Sequence, residues 1–68
     1  MAYNRSEMRA ARARRDLRQA DVAHILGIVP QVYWRKENGV ANFSLDDVSK
    51  LRDKMQLTND EVNSIFFA

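Results

Sequence analysis

The chain of 68 residues contains no cysteine, one proline and two glycines. The lack of cysteine excludes disulfides and cysteine-ligated metal sites, and the single histidine, His24, has no second histidine with which to share a metal. We therefore expect no metal site and expect His24 to face solvent. Because helix breakers are scarce and no run of β-branched residues alternates with polar ones, the composition favours an all-α fold.

Long apolar runs are also missing. None approaches the roughly 18 residues that a spanning helix needs, and the N-terminal segment is polar, without the apolar region of a signal peptide. We expect a cytosolic protein that does not contact membranes. We also expect residues 1–68 to form one domain, because a chain of this length can build a single core.

Groups that could support catalysis are absent as well. The sequence offers no pairing of a nucleophile with a base, no carboxylate dyad and no phosphate-binding loop. Asp46 and Asp47 are adjacent on a predicted helix and point apart. We therefore expect no enzymatic activity, no cofactor and no small-molecule ligand.

Charge is distributed unevenly along the chain. Residues 1–40 hold eight Lys or Arg against four Asp or Glu, whereas residues 41–68 hold three against five, so the two parts carry +4 and −2. This asymmetry suits a protein that meets a polyanion on one side. A solvated arginine-rich helix would give a similar count, so charge alone does not distinguish a polyanion-binding surface from an ordinary solvent-exposed helix.

Residues 19–39 contain two short helical patterns around one glycine. The first pattern covers 19–26, and Gly27 follows its last apolar residue, where a left-handed helix end favours glycine. The apolar stripe of this first helix comprises Val22, Ala23 and Leu26.

The second of these helices begins at Pro30, because proline is tolerated at a first helical position. It ends before Asn38 and Gly39, a pair that is typical of a helix end and turn. Two helices joined by a three-to-four-residue turn that contains glycine match a helix-turn-helix, here over residues 19–37.

Three further helices are predicted. Helix one covers about 4–15 and ends at Asp16, a residue type that tolerates the left-handed conformation. After a loop over 40–43, Ser44 opens helix four, and Thr58 with Glu61 forms a capping box that opens helix five. The residues predicted to be buried on these last two helices are Leu45, Val48, Leu51, Met55, Val62, Ile65 and Phe66.

These residues resemble the Cro/repressor-type, or XRE-like, helix-turn-helix domains of bacteriophages and mobile elements. The match extends from about residue 8 to residue 66, and its later part is similar to compact phage regulators of Gram-positive bacteria. The residues that carry the resemblance are Leu17-x-Gln19, Val22-Ala23, Ile25-Leu26-Gly27-Ile28, Tyr33, Lys36-Glu37-Asn38-Gly39, Phe43-Ser44-Leu45 and Ile65-Phe66-Phe67.

The resemblance implies a compact five-helix, lambda-repressor-like fold whose third helix reads operator bases. Gln31 and Arg35 would be the main base readers, since Gln pairs with adenine and Arg with guanine. Pro30 and Trp34 would also face the DNA, with Trp34 against a thymine methyl group or the sugar-phosphate wall. The alternative for Trp34 is the core, which we disfavour because Tyr33 already takes the inward position.

Other positions are implied to have supporting roles. An ion pair between Arg12 and Glu37 would hold the third helix in place. The sequence departs from the family pattern at two places. Val29 and Pro30 stand where a serine and a polar residue usually open the third helix, and Asp16 stands where a glycine is frequent at the end of the first helix. Contacts with the DNA backbone are implied for Arg18, Gln19, Asn38 and Asn42.

Two functions are consistent with these patterns. The first is a transcriptional regulator that binds a double-stranded DNA operator, most simply as a homodimer that pairs through helix five and the tail 65–68. The second is a protein-interaction module on the same fold, such as an antirepressor, a repressor modulator or an antitoxin-like partner. Salt dependence distinguishes them, because binding to phosphates weakens steeply with added salt.

Overall fold

A computed structural model describes residues 3–67, and within that range all regular structure is helical. The all-α prediction is therefore confirmed for the described residues. None of their helices is both long and apolar enough to cross a membrane. The elements are α1 (Arg5–Arg14), α2 (Gln19–Leu26), α3 (Pro30–Glu37), α4 (Leu45–Lys54), α5 (Asn59–Val62) and a terminal π-helical turn (Asn63–Phe67).

Side-chain caps fix where α4 and α5 begin. The Ser44 hydroxyl accepts a hydrogen bond from the Asp47 N–H at 3.0 Å, and the Asp47 carboxylate accepts one from the Ser44 N–H at 3.0 Å. Thr58 and Glu61 make the same reciprocal pair at 3.1 and 2.9 Å. Both predicted starts are confirmed. The start of α3 at Val29 has no side-chain cap, as the missing serine predicts.

Left-handed residues end four of the helices, and Gly39 has this role after α3, with φ of 80°. Gly27 follows α2 with φ of 70°, and Asp16 follows α1 with φ of 58°, both as the sequence predicts. Gln56 adopts φ of 55° after α4, which no sequence signal indicates. These turns let α2 pack against both α3 and α4, while α1 packs against α3 and the terminal turn.

The core lies where these faces meet and is almost entirely apolar. Phe43, from the loop before α4, closes one end of it, with its ring centroid 5.3 Å from that of Phe66 and 6.3 Å from that of Tyr33. The buried apolar residues are Met8, Ala11, Val22, Ala23, Leu26, Tyr33, Leu51, Met55, Leu57, Ile65 and Phe66.

The structure corrects two predictions about apolar residues. Leu45 is not buried: its exposed fraction is 73%, because it lies about 120° around the helix axis from Leu51. Ile65 and Phe66 lie inside the core, so within the described part of the predicted dimer tail only Phe67, 44% exposed, is available to another chain; Ala68 lies outside the described residues.

Candidate nucleic-acid interface

Helix α3 has one buried face and one exposed face. Tyr33 and Glu37, one turn apart, are fully buried, whereas Gln31, Trp34 and Arg35 lie at the surface. Trp34 keeps 50% of its surface exposed, so it is outside the core. The side chains proposed to read bases therefore share the side of α3 that faces solvent.

Glu37 is the only buried charged residue among residues 3–67, and donors from three helices surround its carboxylate. Arg12 Nε of α1 donates to it at 2.8 Å, and Gln19 Nε2 of α2 donates at 2.7 Å. The Tyr33 hydroxyl donates at 2.9 Å from within α3. The structure thus brings Arg12 and Glu37 together, and it adds two donors that the sequence did not predict.

Burial and hydrogen bonding oppose each other at Glu37. Burial disfavours its charged form, but hydrogen bonds from Gln19, Arg12 and Tyr33 outweigh this effect and hold the pKa of Glu37 below its ordinary value. Burial and the nearby carboxylate raise the pKa of Tyr33. Glu37 is therefore an anion and Tyr33 a neutral donor at neutral pH, which fixes the direction of each hydrogen bond.

The end of α3 is held by three further hydrogen bonds. The Tyr3 hydroxyl donates to the Glu37 carbonyl oxygen at 2.6 Å, and Arg9 Nη2 donates to Asn38 Oδ1 at 2.8 Å. Asn38 Nδ2 donates to the Trp34 carbonyl oxygen at 2.9 Å. Both polar atoms of the Asn38 side chain thus have partners within the protein, and any phosphate contact by Asn38 has to share or replace them.

The other residues predicted to contact the DNA backbone lie at two places. Arg18 is the exposed residue before α2 and Gln19 is its first residue, with the carboxamide nitrogen engaged by Glu37. Asn42 is exposed after α3, and its carbonyl oxygen accepts from Lys36 Nζ at 2.9 Å. The structure therefore groups Arg18 with Gln19 at one helix start, and Asn42 with Asn38 in the segment after α3.

Most cations of the described chain are paired with an acid. Lys36 lies 2.9 Å from Asp47, for example, and Arg9 is 3.9 Å from Glu37. Within residues 3–67 the cations without an acidic partner inside 4.0 Å are Arg5, Arg18, Arg35 and Lys54. Of these, Arg18 lies at the start of α2 and Arg35 lies on α3, so each of these two helices carries one arginine whose charge no acid compensates within residues 3–67.

A second polar cluster fastens the C-terminal helices to α1. Arg15 donates to the Glu61 carboxylate at 2.6 and 2.8 Å and to the carbonyl oxygen of Met55 at 2.7 Å. The sequence predicts the Glu61 cap but does not indicate its pairing with Arg15, because the two residues are 46 positions apart. The cluster lies at the end of α4 and stabilises the fold.

No family model, curated protein or solved structure matches the chain. Among the described residues, no group of three or more His, Cys, Asp or Glu side chains is placed to hold a metal ion.

Proposed function

We propose that the protein is a regulator of transcription that binds double-stranded DNA in a sequence-specific manner. Helices α2 and α3 would form a lambda-repressor-like helix-turn-helix, with the N-terminal half of α3 in the major groove. The resemblance to Cro/repressor-type domains supports this reading, and so does the short turn at Gly27 between the two helices.

The observation that carries the proposal is the exposure of Gln31 and Arg35 on a helix that is fixed from behind. They lie one turn apart on α3, and no hydrogen bond within residues 3–67 engages either side chain. The hydrogen bonds to the Glu37 carboxylate hold the opposite, buried face of α3. A glutamine and an arginine presented in this way suit bidentate pairing with adenine and guanine, each contact discriminating by about 1–3 kcal/mol.

Contacts with the DNA backbone would come from the start of α2. The first N–H groups of a helix have no intrahelical acceptor and attract phosphate oxygens. Arg18 adds an unpaired cation at that point. The side-chain amide nitrogen of Gln19 already donates to Glu37, so the backbone N–H of Gln19 is the group that would contact a phosphate.

A homodimer on a two-fold operator is the simplest assembly. One domain covers one half-site, and two domains on one face of the duplex place their recognition helices about 34 Å apart. Phe67 is exposed near the C-terminal end and is available to such a contact.

The test is selection of binding sites from a random duplex pool at about 150 mM salt, where non-specific binding is weak. We expect a two-fold symmetric site to be enriched. Gln31→Ala and Arg35→Ala should each lose preference at one position per half-site, whereas Arg52→Ala, a change at an exposed arginine on α4, should not. Failure to enrich any sequence would contradict the proposal.

A second candidate function is supported by an apolar cleft of about 500 Å³ on the side of Phe43 and Phe66. Leu45 lines it, and Val40, 69% exposed, precedes the loop residues that form its rim. Exposed apolar surface of this kind is typical of protein-binding sites. The affinity of a protein partner bound in this cleft would change little with added salt, whereas binding to phosphates weakens steeply.

A further inference from the structure

The exposed side of α3 carries an apolar row beside its polar one. Pro30 and Trp34 are one helical turn apart and therefore share a face, and Val29 immediately precedes them. Val29 is 59% exposed, and half of the Trp34 surface is exposed as well. Gln31 and Arg35 form the neighbouring row, about 100° further around the axis.

This apolar row is rigid as well as exposed. Pro30 has a fixed φ, and a tryptophan side chain has only two rotatable bonds, so little conformational entropy is lost when they are covered. The Trp34 carbonyl oxygen accepts from the Asn38 backbone N–H at 3.0 Å and from the Asn38 side chain at 2.9 Å, which fixes the backbone beneath the ring. Tyr33 and Glu37 hold the buried face of the same helix.

The major groove offers one apolar group at its base edges, the methyl group on C5 of thymine. We infer that Val29, Pro30 and Trp34 select duplexes that present a C5-methyl pyrimidine next to the bases paired with Gln31 and Arg35. The inference rests on the proposed function. It names the chemical group that the apolar row recognises, and that group is shared by thymine and 5-methylcytosine.

The experiment uses the full chain and the duplex enriched by site selection. Each thymine of a half-site is replaced in turn by uracil, which keeps every hydrogen-bonding atom and removes only the methyl group. At the sensitive position we expect uracil to weaken binding about fourfold, the effect of exposing one buried methyl group. Trp34→Ala should bind the thymine and uracil duplexes within about twofold of each other, since its methyl contact is already lost.

A matched pair of valine variants tests the position of the contact. Val29→Ala should reduce the thymine-to-uracil ratio, whereas Val40→Ala, a change at another exposed valine outside α3, should leave it intact. A cytosine and a 5-methylcytosine duplex at the sensitive position identify the source of the methyl group. Tighter binding to the methylated cytosine assigns recognition to any C5-methyl pyrimidine, and equal binding to the two restricts it to thymine.

The outcomes separate this inference from the proposed function. If the wild-type protein enriches a site but binds its thymine and uracil forms equally at every position, methyl recognition is wrong and DNA binding stands. If Trp34→Ala and Val29→Ala both retain the full uracil effect, the methyl group is read by a residue outside this row and the assignment to the row is wrong. If no duplex is enriched, the proposed function fails and the inference fails with it.

Discussion

Arg12 Nε of α1 lies 2.8 Å from Oε1 of Glu37, the last residue of α3, and the Glu37 side chain is fully buried. Arg12 also donates from Nη1 to the Leu17 carbonyl oxygen at 3.0 Å, so its guanidinium is fixed from a second direction. The pair links the helix proposed to read bases to the first helix of the fold. Its contribution should therefore be seen in stability and in DNA binding together.

We expect Arg12→Ala to destabilise the protein by about 3–5 kcal/mol, because it leaves a carboxylate buried with too few donors. Urea unfolding measures the change. Arg5→Ala, at an exposed arginine of the same helix, is the control and should cost less than about 0.5 kcal/mol. A loss of similar size in the two variants would mean that the pair does not hold α3.

Gln19→Glu should be less stable than Gln19→Ala at neutral pH. The wild-type amide lies 2.7 Å from Glu37 Oε2, so the glutamate would set two carboxylates against each other and raise the pKa of one of them. A raised folded pKa means that stability is lost as pH rises above the unfolded value of about 4.3.

Urea unfolding of both Gln19 variants at about pH 4.5 and about pH 7 checks this expectation. The deficit of Gln19→Glu relative to wild type should grow with pH, while that of Gln19→Ala, which only loses a donor, should stay nearly constant. Equal deficits at the two pH values would show that the Gln19 side chain does not adjoin Glu37.

Features set by neighbouring residues were predictable from the sequence. The caps at Ser44 and Thr58 and the left-handed residues Gly27 and Asp16 depend on chemistry within about four positions, so residue type and spacing are sufficient. The position of Leu45 was not predictable in this way. Its spacing fits an apolar stripe, but the packing of α4 leaves it beyond the edge of the buried face.

Contacts between residues that are far apart in the sequence limited how much of the candidate site could be predicted. Resemblance to a family suggested Arg12 with Glu37, but nothing local indicates that Tyr3 reaches the Glu37 carbonyl, 34 positions away, or that Arg15 donates to the carbonyl of Met55. Such contacts depend on how helices pack. The exposure of Trp34 could be predicted, because Tyr33 occupies the inward position and the next residue points about 100° away.

Arg18→Ala and Arg35→Ala should weaken DNA binding in different ways. Arg18 is proposed to contact phosphate, so its loss should weaken binding to all sequences alike and reduce the slope of log K against log salt by about 0.9. Arg35 is proposed to read a base, so its loss should cost about 1–3 kcal/mol on the preferred site and much less on mismatched ones.

Titrations of both variants over a range of salt, with preferred and scrambled duplexes, measure these effects. Lys54→Ala removes an unpaired cation from the end of α4 and serves as the control, since it lies outside the proposed interface. If Lys54→Ala changes the slope as much as Arg18→Ala does, the charge effect is general and Arg18 has no specific phosphate contact.

Acid should destabilise the protein through Glu61. Hydrogen bonds from Arg15, above all, hold the pKa of Glu61 well below its ordinary value, against the opposing effect of burial. A depressed folded pKa contributes stability that is present above the unfolded value of about 4.3 and is lost as pH falls toward the folded value. The same hydrogen bond raises the pKa of Arg15, so both partners favour the charged pair.

Glu61→Gln should therefore cost about 1.5–3 kcal/mol at neutral pH and flatten the decline of stability below about pH 4. Chemical unfolding at several pH values measures both effects. Asp60→Asn makes the same change in charge at a neighbouring exposed residue that accepts no side-chain hydrogen bond within residues 3–67, and it is the control. An acid decline that persists unchanged in Glu61→Gln would assign it to Glu37 or Asp47, whose pKa values are also lowered.

Gln56→Gly should stabilise the protein, although it shortens a side chain. Gln56 has φ of 55°, a conformation in which the Cβ atom of an L-residue is strained by about 1–2 kcal/mol. Glycine removes that strain and keeps the backbone carbonyl that accepts from Arg15 at 3.1 Å. The greater freedom of glycine in the unfolded chain offsets part of the gain, so we expect a net increase of about 0.5–1 kcal/mol in the free energy of unfolding. Asp16→Gly, at φ of 58°, is the matched comparison and should gain less, because aspartate tolerates the left-handed region better than glutamine does. A larger gain at Asp16 than at Gln56 would show that side-chain strain does not determine the stability of these two turns.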